Sequence, residues 1–146
     1  FEMMQAPNTH FGGSDGGAHC GVICDVSLPT HNLAYWSRDR TRGSQLPVEF
    51  IVHKQTMGTA SLHGLADRGR LAAGYRADVN LIDFDTLGVD MPRIAFDLPT
   101  GARRLIQGAR GYHATIKNGV PIYEAGEATG ALPGALIRGP QGQPTA

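Results

Sequence analysis

Apolar positions in this chain come in short clusters, and their spacing changes character near residue 67. Residues 1–5 are apolar and predict the end of a helix, stopped at Pro7. Residues 9–12 predict a short strand, and residues 13–20 a glycine turn carrying Asp15 and His19. Residues 21–27 are weakly apolar and read as a loop. Pro29 and Thr30 open a predicted helix whose partly apolar face holds Leu33, Ala34, Tyr35 and Trp36. The charged run at 38–42 ends that helix, with Gly43 as its stop. Pro47 starts the next one and places Glu49 in its first turn, where the macrodipole favours an acid. Val48, Ile51 and Val52 continue it and Gly58 closes it. A third helix over 59–65 begins at Thr59, a residue type that caps helices well.

From residue 67 the pattern is that of a β module. Residues 67–78 are punctuated by glycine and predict turns. Residues 79–84 predict a strand with partial period-two alternation, and 93–96 and 102–107 predict shorter ones. The clearest local signal is 112–124, two strand-like runs separated by Asn118-Gly119. Asn-Gly is the preferred pair for a two-residue hairpin turn, because both positions need positive φ. Beyond Gly126 the tail is rich in glycine and proline and is expected to run extended over a surface. The order is strand, acidic glycine turn, helices, β module, an α+β pattern that is not self-sufficient, since one strand followed by helices leaves its edges unpaired. It predicts the end of a larger (β/α) structure joined to a β domain. The chain also opens at Phe1 without an initiator Met, and the expectation is a piece of a longer polypeptide.

Composition narrows the function classes. The 146 residues suffice for one domain with a core. Thirteen basic and thirteen acidic residues cancel, so nothing marks a nucleic-acid or anionic-membrane surface. No apolar run approaches membrane-spanning length and no signal peptide opens the chain. Cys20 and Cys24 are the only cysteines, too few for a disulfide framework or a zinc site of paired thiols. Reduced thiols in a cytoplasmic protein are the expectation.

The stretch with the most chemistry is Phe11-Gly12-Gly13-Ser14-Asp15-Gly16-Gly17-Ala18-His19. A carboxylate at the end of a strand, on a glycine-lined turn, suits metal binding or proton transfer. The plain alternative is a surface turn in which the Asp bonds its own backbone. Ser14 either meets a substrate or caps the turn, and His19 either reaches a site or bonds backbone. Tyr35 and Trp36 read as packing residues, and His53 and His63 as structural or exposed. The 38–42 cluster reads as a solvated helix end, and Asp67-Arg68 as a turn-stabilising ion pair. Asp78 is expected to pair within the turn that enters the β module.

Three stretches together resemble the amidohydrolase superfamily of metal-dependent hydrolases, in its N-acyl-D-amino-acid deacylase (D-aminoacylase) branch. The first is Gly13-Ser14-Asp15-Gly16 with His19 shortly after. The second is Thr59-Ala60-Ser61-Leu62-His63-Gly64-Leu65, then Asp67-Arg68-Gly69, then Ala73-Gly74-Tyr75-Arg76-Ala77-Asp78-Val79-Asn80-Leu81-Ile82-Asp83. The third is Ala114-Thr115-Ile116-Lys117-Asn118-Gly119-Val120-Pro121-Ile122-Tyr123. The resemblance covers most of residues 8–126, and the second stretch is its most specific part.

The resemblance implies a fold and a chemistry. Residues 1–66 would be the last β/α unit and C-terminal helices of a TIM-like (β/α)8 barrel. Residues 67–126 would be strands of a small β-sandwich, and 127–146 an extended tail. Asp15 would meet a divalent metal, zinc by the family's habit, and shuttle a proton from the metal-activated water to the leaving amine. Ser14, Gly16 and His19 would contact a small-molecule amide, an N-acyl amino acid of D configuration. The family's other metal ligands include a His-X-His pair, and none occurs among His10, His19, His31, His53, His63 and His113. The implied partner is therefore the N-terminal barrel portion of the same enzyme, in an assembly that can be oligomeric, with no catalysis by this stretch alone. An Arg that holds the substrate carboxylate tends to follow the Asp in this branch, and residues 16–28 hold none. A cyclic-amide hydrolase of the hydantoinase or dihydroorotase kind, and a non-enzymatic α+β binding module, remain the alternatives.

Overall fold

The structure, a computed structural model, describes residues 1–15 and 19–144. Its helices are α1 (Glu2–Gln5), α2 (Leu28–Ala34), α3 (Val48–Gln55) and α4 (Met57–Leu62). Its strands are β1 (Val79–Ile82), β2 (Gly88–Val89), β3 (Arg93–Ala95), β4 (Arg104–Ile106), β5 (Ala109–Arg110), β6 (Tyr112–Lys117), β7 (Val120–Glu124) and β8 (Glu127–Ala128). They fall into two compact units, each gathered from separate stretches. The first comprises Phe1–Phe11, Pro47–Ile82 and Tyr112–Ala146, and the second Gly12–Leu46 and Asp83–Gly111. No helix among the described residues is long and apolar enough to cross a membrane.

In the first unit an antiparallel sheet runs in the order β1-β6-β7-β8. Val79 pairs with Ile116 and Ile82 with Tyr112. The β6–β7 hairpin turns at the Asn-Gly pair as the sequence predicts, with Asn118 at φ 51° and Gly119 at φ 82°. Its tip is clamped to the start of β1. Lys117 Nζ donates to both Asp78 carboxylate oxygens at 2.8 and 2.7 Å, and the Asn118 amide donates to the same carboxylate at 2.8 Å. The Gly119 amide reaches the Ala77 carbonyl at 2.9 Å. The tail is held too, since the Gln141 amide donates to the Gly64 carbonyl at 2.7 Å beside a parallel bridge from Leu65 to Gln141.

Three local expectations are corrected in this unit. Gly58 does not close α3. The break falls at Thr56 (φ −118°, ψ −92°), and α4 restarts at Met57. Gly58 lies inside α4, where a Cβ would come 3.1 Å from the His53 carbonyl oxygen, so it serves close packing. Thr59 is not the cap: it is the third residue of α4, and its hydroxyl donates back to the Gln55 and Thr56 carbonyls at 3.1 and 3.0 Å. Residues 9–12 form no strand. A strand exists only through its ladder, and here the polar groups of Thr9 bond locally. Its amide and hydroxyl donate to the Ala6 carbonyl at 3.2 and 2.8 Å, and its own carbonyl accepts from Lys54 Nζ on α3 at 2.6 Å. Ile51, fully buried, and Ala60 form the apolar centre of these helices.

The second unit packs α2 beside two nested antiparallel ribbons, β2 with β5 and β3 with β4. β2 and β5, two residues each, are absent from the sequence reading because neither is long enough to show a period. Past Ala34 the helix widens into one π turn, Tyr35–Asp39, closed by the Arg40 amide on the Tyr35 carbonyl at 2.8 Å. Tyr35 stacks on His31 with centroids 5.1 Å apart and meets Trp36 edge-on, which bears out their packing role. Leu33, Ala34, Leu46 and Leu87 form the core, Leu87 with no exposed surface.

The arginine cluster is not merely a solvated helix end. Arg38 donates through Nη2 to the Leu87 carbonyl at 2.6 Å and through Nη1 to the carbonyls of Phe84 and of Asp85, the latter at 3.1 Å. Its Nε and Nη2 also grip Asp39 at 2.7 and 2.9 Å. Arg40 lies over the Trp36 ring, 4.5 Å from its centroid.

Candidate active site

The glycine turn enters the second unit at Gly12, and the structure follows it to Asp15 and again from His19. Asp15 is exposed, with φ 51°. That left-handed conformation is one that Asp tolerates better than most side chains, because its short polar group can bond locally. His19 is exposed as well, at φ 59°, and its carbonyl accepts the amides of Val22 and Ile23 at 2.9 and 3.0 Å. Ser14 is half-buried. Gly16 lies outside the described residues. Among the described residues no hydrogen bond or ion pair joins Ser14, Asp15 and His19.

A Cβ added at Gly12 or Gly13 would meet no atom within 4 Å. Packing among the described residues therefore does not require glycine at either position. The far side of the turn is tied down by main chain, with the Leu105 amide of β4 donating to the Cys20 carbonyl at 2.7 Å. Arg104, beside it, pairs with Asp97 through two bonds of 2.6 and 2.7 Å, which holds the Asp97 carboxyl below the usual carboxylate range. No sequence signal points to the Cys20 tether, because main-chain bonds between distant segments leave no mark on side-chain identity. Cys20 and Cys24 are free, half-buried thiols.

His31 is stacked on Tyr35, His53 lies in α3 and His63 just beyond α4. The described residues contain no group of three or more His, Cys, Asp or Glu side chains able to hold a metal ion. They therefore do not make a metal site by themselves. A single exposed carboxylate such as Asp15 can serve as one donor among ligands from elsewhere.

The most perturbed acid is Asp67, and it is structural. Arg68 grips it with bonds of 2.8 and 3.1 Å and Arg76 with one of 2.6 Å. The Arg68 hydrogen bond first, then the Arg76 one, lower its carboxyl pKa to about 2, well below the ordinary carboxylate range. The expected ion pair with Arg68 is present, extended by a second arginine. Its folded-state pKa lies below the unfolded value, so the unfolded chain binds more protons between about pH 4 and pH 2. The contribution of Asp67 is present above that window and lost as pH falls through it. Denaturation curves from pH 5 to pH 2 should show Asp67→Asn losing less stability over this interval than the wild type. Equal slopes would remove Asp67 as a source of the acid sensitivity.

Comparison with known proteins gives this geometry its setting. Residues 1–123 match the Amidohydrolase family. The chain is 33% identical to a D-aminoacylase of Alcaligenes xylosoxydans xylosoxydans over 105 residues, which is 72% of this chain and 19% of that protein. It is 38% identical over 93 residues to an N-acyl-D-aspartate deacylase of the same organism, covering 63% of this chain and 17% of the relative. An allantoinase of Deinococcus radiodurans is 37% identical over 94 residues, 64% of this chain and 20% of the relative. The chain spans about a fifth of the length of the curated relatives it matches. No solved structure matches it significantly.

Proposed function

Because this chain belongs to the amidohydrolase family, and within it to the D-aminoacylase branch, we propose that it is part of a hydrolase that cleaves the carbon–nitrogen bond of a linear amide, an N-acyl amino acid of D configuration. The observation that carries the reading is Asp15, an exposed carboxylate on left-handed backbone beside open glycines, inside the matched residues 1–123. Non-glycine residues held in that region of φ/ψ cluster at active sites. The names of the D-aminoacylase and the N-acyl-D-aspartate deacylase supply the substrate class.

In this reading residues 1–66 belong to the end of a (β/α)8 barrel, 67–126 to a β-sandwich and 127–146 to an extended tail. The N-terminal barrel portion supplies the other metal ligands, and the enzyme works in the cytoplasm. That the match covers only about a fifth of the relatives' length supports that division of labour. A bound divalent metal, zinc here, supplies acidity to a water molecule so that it can attack at neutral pH. Asp15 would be one carboxylate donor to that metal, and its carboxylate would take a proton from the attacking water and deliver it to the departing nitrogen. A C–O bond forms, the C–N bond breaks, and the products are a carboxylate and an amine. Ser14 hydrogen-bonds the substrate, Gly16 gives it close backbone approach, and His19 borders it from the far side of the turn.

A substrate panel on the whole enzyme tests this. N-acetyl-D-amino acids should be hydrolysed, their L-enantiomers far less, with activity lost on chelation and restored by zinc. Turnover of hydantoin or another cyclic amide in place of every linear one would transfer the site to cyclic-amide chemistry. Turnover of neither class would remove the hydrolase reading.

A further inference from the structure

The first unit holds a cavity of about 220 Å³ that the proposed hydrolysis does not use. Arg68, Arg76, Lys117 and Arg138 all line it. Three of these cations are bonded to carboxylates. Arg68 and Arg76 share Asp67, with Arg76 bound to it through Nε at 2.6 Å, and Lys117 holds Asp78. Neither carboxylate lines the cavity. Arg138 makes no hydrogen bond or ion pair among the described residues, and neither do the two terminal nitrogens of Arg76. Four cations thus stand against two carboxylates, and two positive charges are left uncompensated around one concavity. The tail adds an apolar part to the lining, through Pro133, Leu136 and Ile137. The tail is pinned there by Gln141 on Gly64.

We propose that this cavity binds a small oxyanion, a phosphate or a carboxylate, with Arg76 and Arg138 as its principal contacts. Three physical grounds favour it. Guanidinium groups match oxyanions with paired N–H donors. The Asp67 pairing fixes Arg68 and Arg76, so less side-chain freedom is lost when a ligand arrives. The volume exceeds that of several waters and accommodates one small anion with a short apolar part. The apolar tail wall favours a carboxylate that carries such a part over a bare inorganic ion. None of this depends on the assignment of Asp15.

Titration calorimetry on the whole protein tests it with two probes, inorganic phosphate and N-acetylglycine. One-to-one saturable binding of at least one probe is expected, weakening as salt is raised. The probe that binds identifies the headgroup. Arg138→Gln, on an exposed side chain with no partner to lose, should weaken binding by roughly tenfold, the worth of one charge-assisted contact. Arg76→Gln should do the same, and Arg76→Lys should restore part of the loss. Lys54→Gln, away from the cavity, should leave affinity unchanged. Absence of saturable binding by either probe, or affinity indifferent to both Arg138→Gln and Arg76→Gln, would overturn the proposal. Wild-type far-ultraviolet circular dichroism of each variant guards against misfolding.

Discussion

Replacing Asp15 with Asn in the whole enzyme lowers kcat for amide hydrolysis by about 10²- to 10⁴-fold, the range expected when a positioned proton acceptor is lost. The substitution isolates that role. Asn has nearly the same shape and keeps hydrogen-bonding groups, but its amide cannot take a proton from water at neutral pH. It also enters left-handed backbone as readily as Asp, so φ 51° is no obstacle. Asp15 is exposed and engages no ion pair among the described residues. Unfolding free energy should therefore move by less than about 0.5 kcal/mol, the usual range for such surface changes. KM should change little, since the carboxylate acts on the attacking water and the leaving nitrogen. Undiminished kcat in Asp15→Asn would return the glycine turn to its plainest interpretation, a surface loop with one acid.

The largest effect on stability is expected at Gly111. Its φ is +88°, and a Cβ there would sit 2.7 Å from Leu87 Cα, 2.8 Å from Leu87 N and 2.9 Å from the Asp83 carbonyl oxygen. All three are backbone atoms, so no side chain can swing aside. The backbone is also engaged, because the Gly111 carbonyl accepts the Asp83 amide at 2.8 Å. Leu87 is fully buried, and relief would have to come from moving the core of the second unit. Positive-φ strain and overpacking together put the cost of Gly111→Ala at about 2–4 kcal/mol. Gly101→Ala is the matched control, with φ +71° and no atom within 4 Å of the added Cβ. It carries the strain without the clash and should cost about 1 kcal/mol. Equal losses for the two in urea denaturation would show that the close approach at Leu87 is not a constraint.

The sequence was most legible where the signal was local. The Asn118-Gly119 hairpin lies where its turn chemistry puts it, because those two residues alone satisfy the required φ values. β1, β3 and β4 also appear within the predicted stretches, since their apolar residues recur over three or more positions. Legibility failed where a distant partner decided the outcome. Residues 9–12 have strand-like composition, yet Lys54 and Ala6 capture the polar groups of Thr9. Arg38 looks like one charge among several in sequence, and only the fold reveals the three carbonyls it holds. At the candidate site, glycine spacing singled out Asp15 and the turn. It gave no hint that Asp15 and His19 would themselves adopt positive φ.

The interleaving of the two units bears on how this chain emerges from the ribosome. β1 cannot form its ladder until β6 has been made, about thirty residues later. α3 and α4 share their unit with residues 112–144, made after the whole second unit. The second unit is completed only when β5 arrives to close on β2. The two units therefore cannot fold one after the other in chain order, since the first waits for residues made after the second. Until then β1 has an unpaired edge and Leu81, still 57% exposed in the finished fold, available to other chains. The period of greatest aggregation risk is the synthesis of residues 83–111, and conditions that slow it should be those in which the protein is hardest to recover intact.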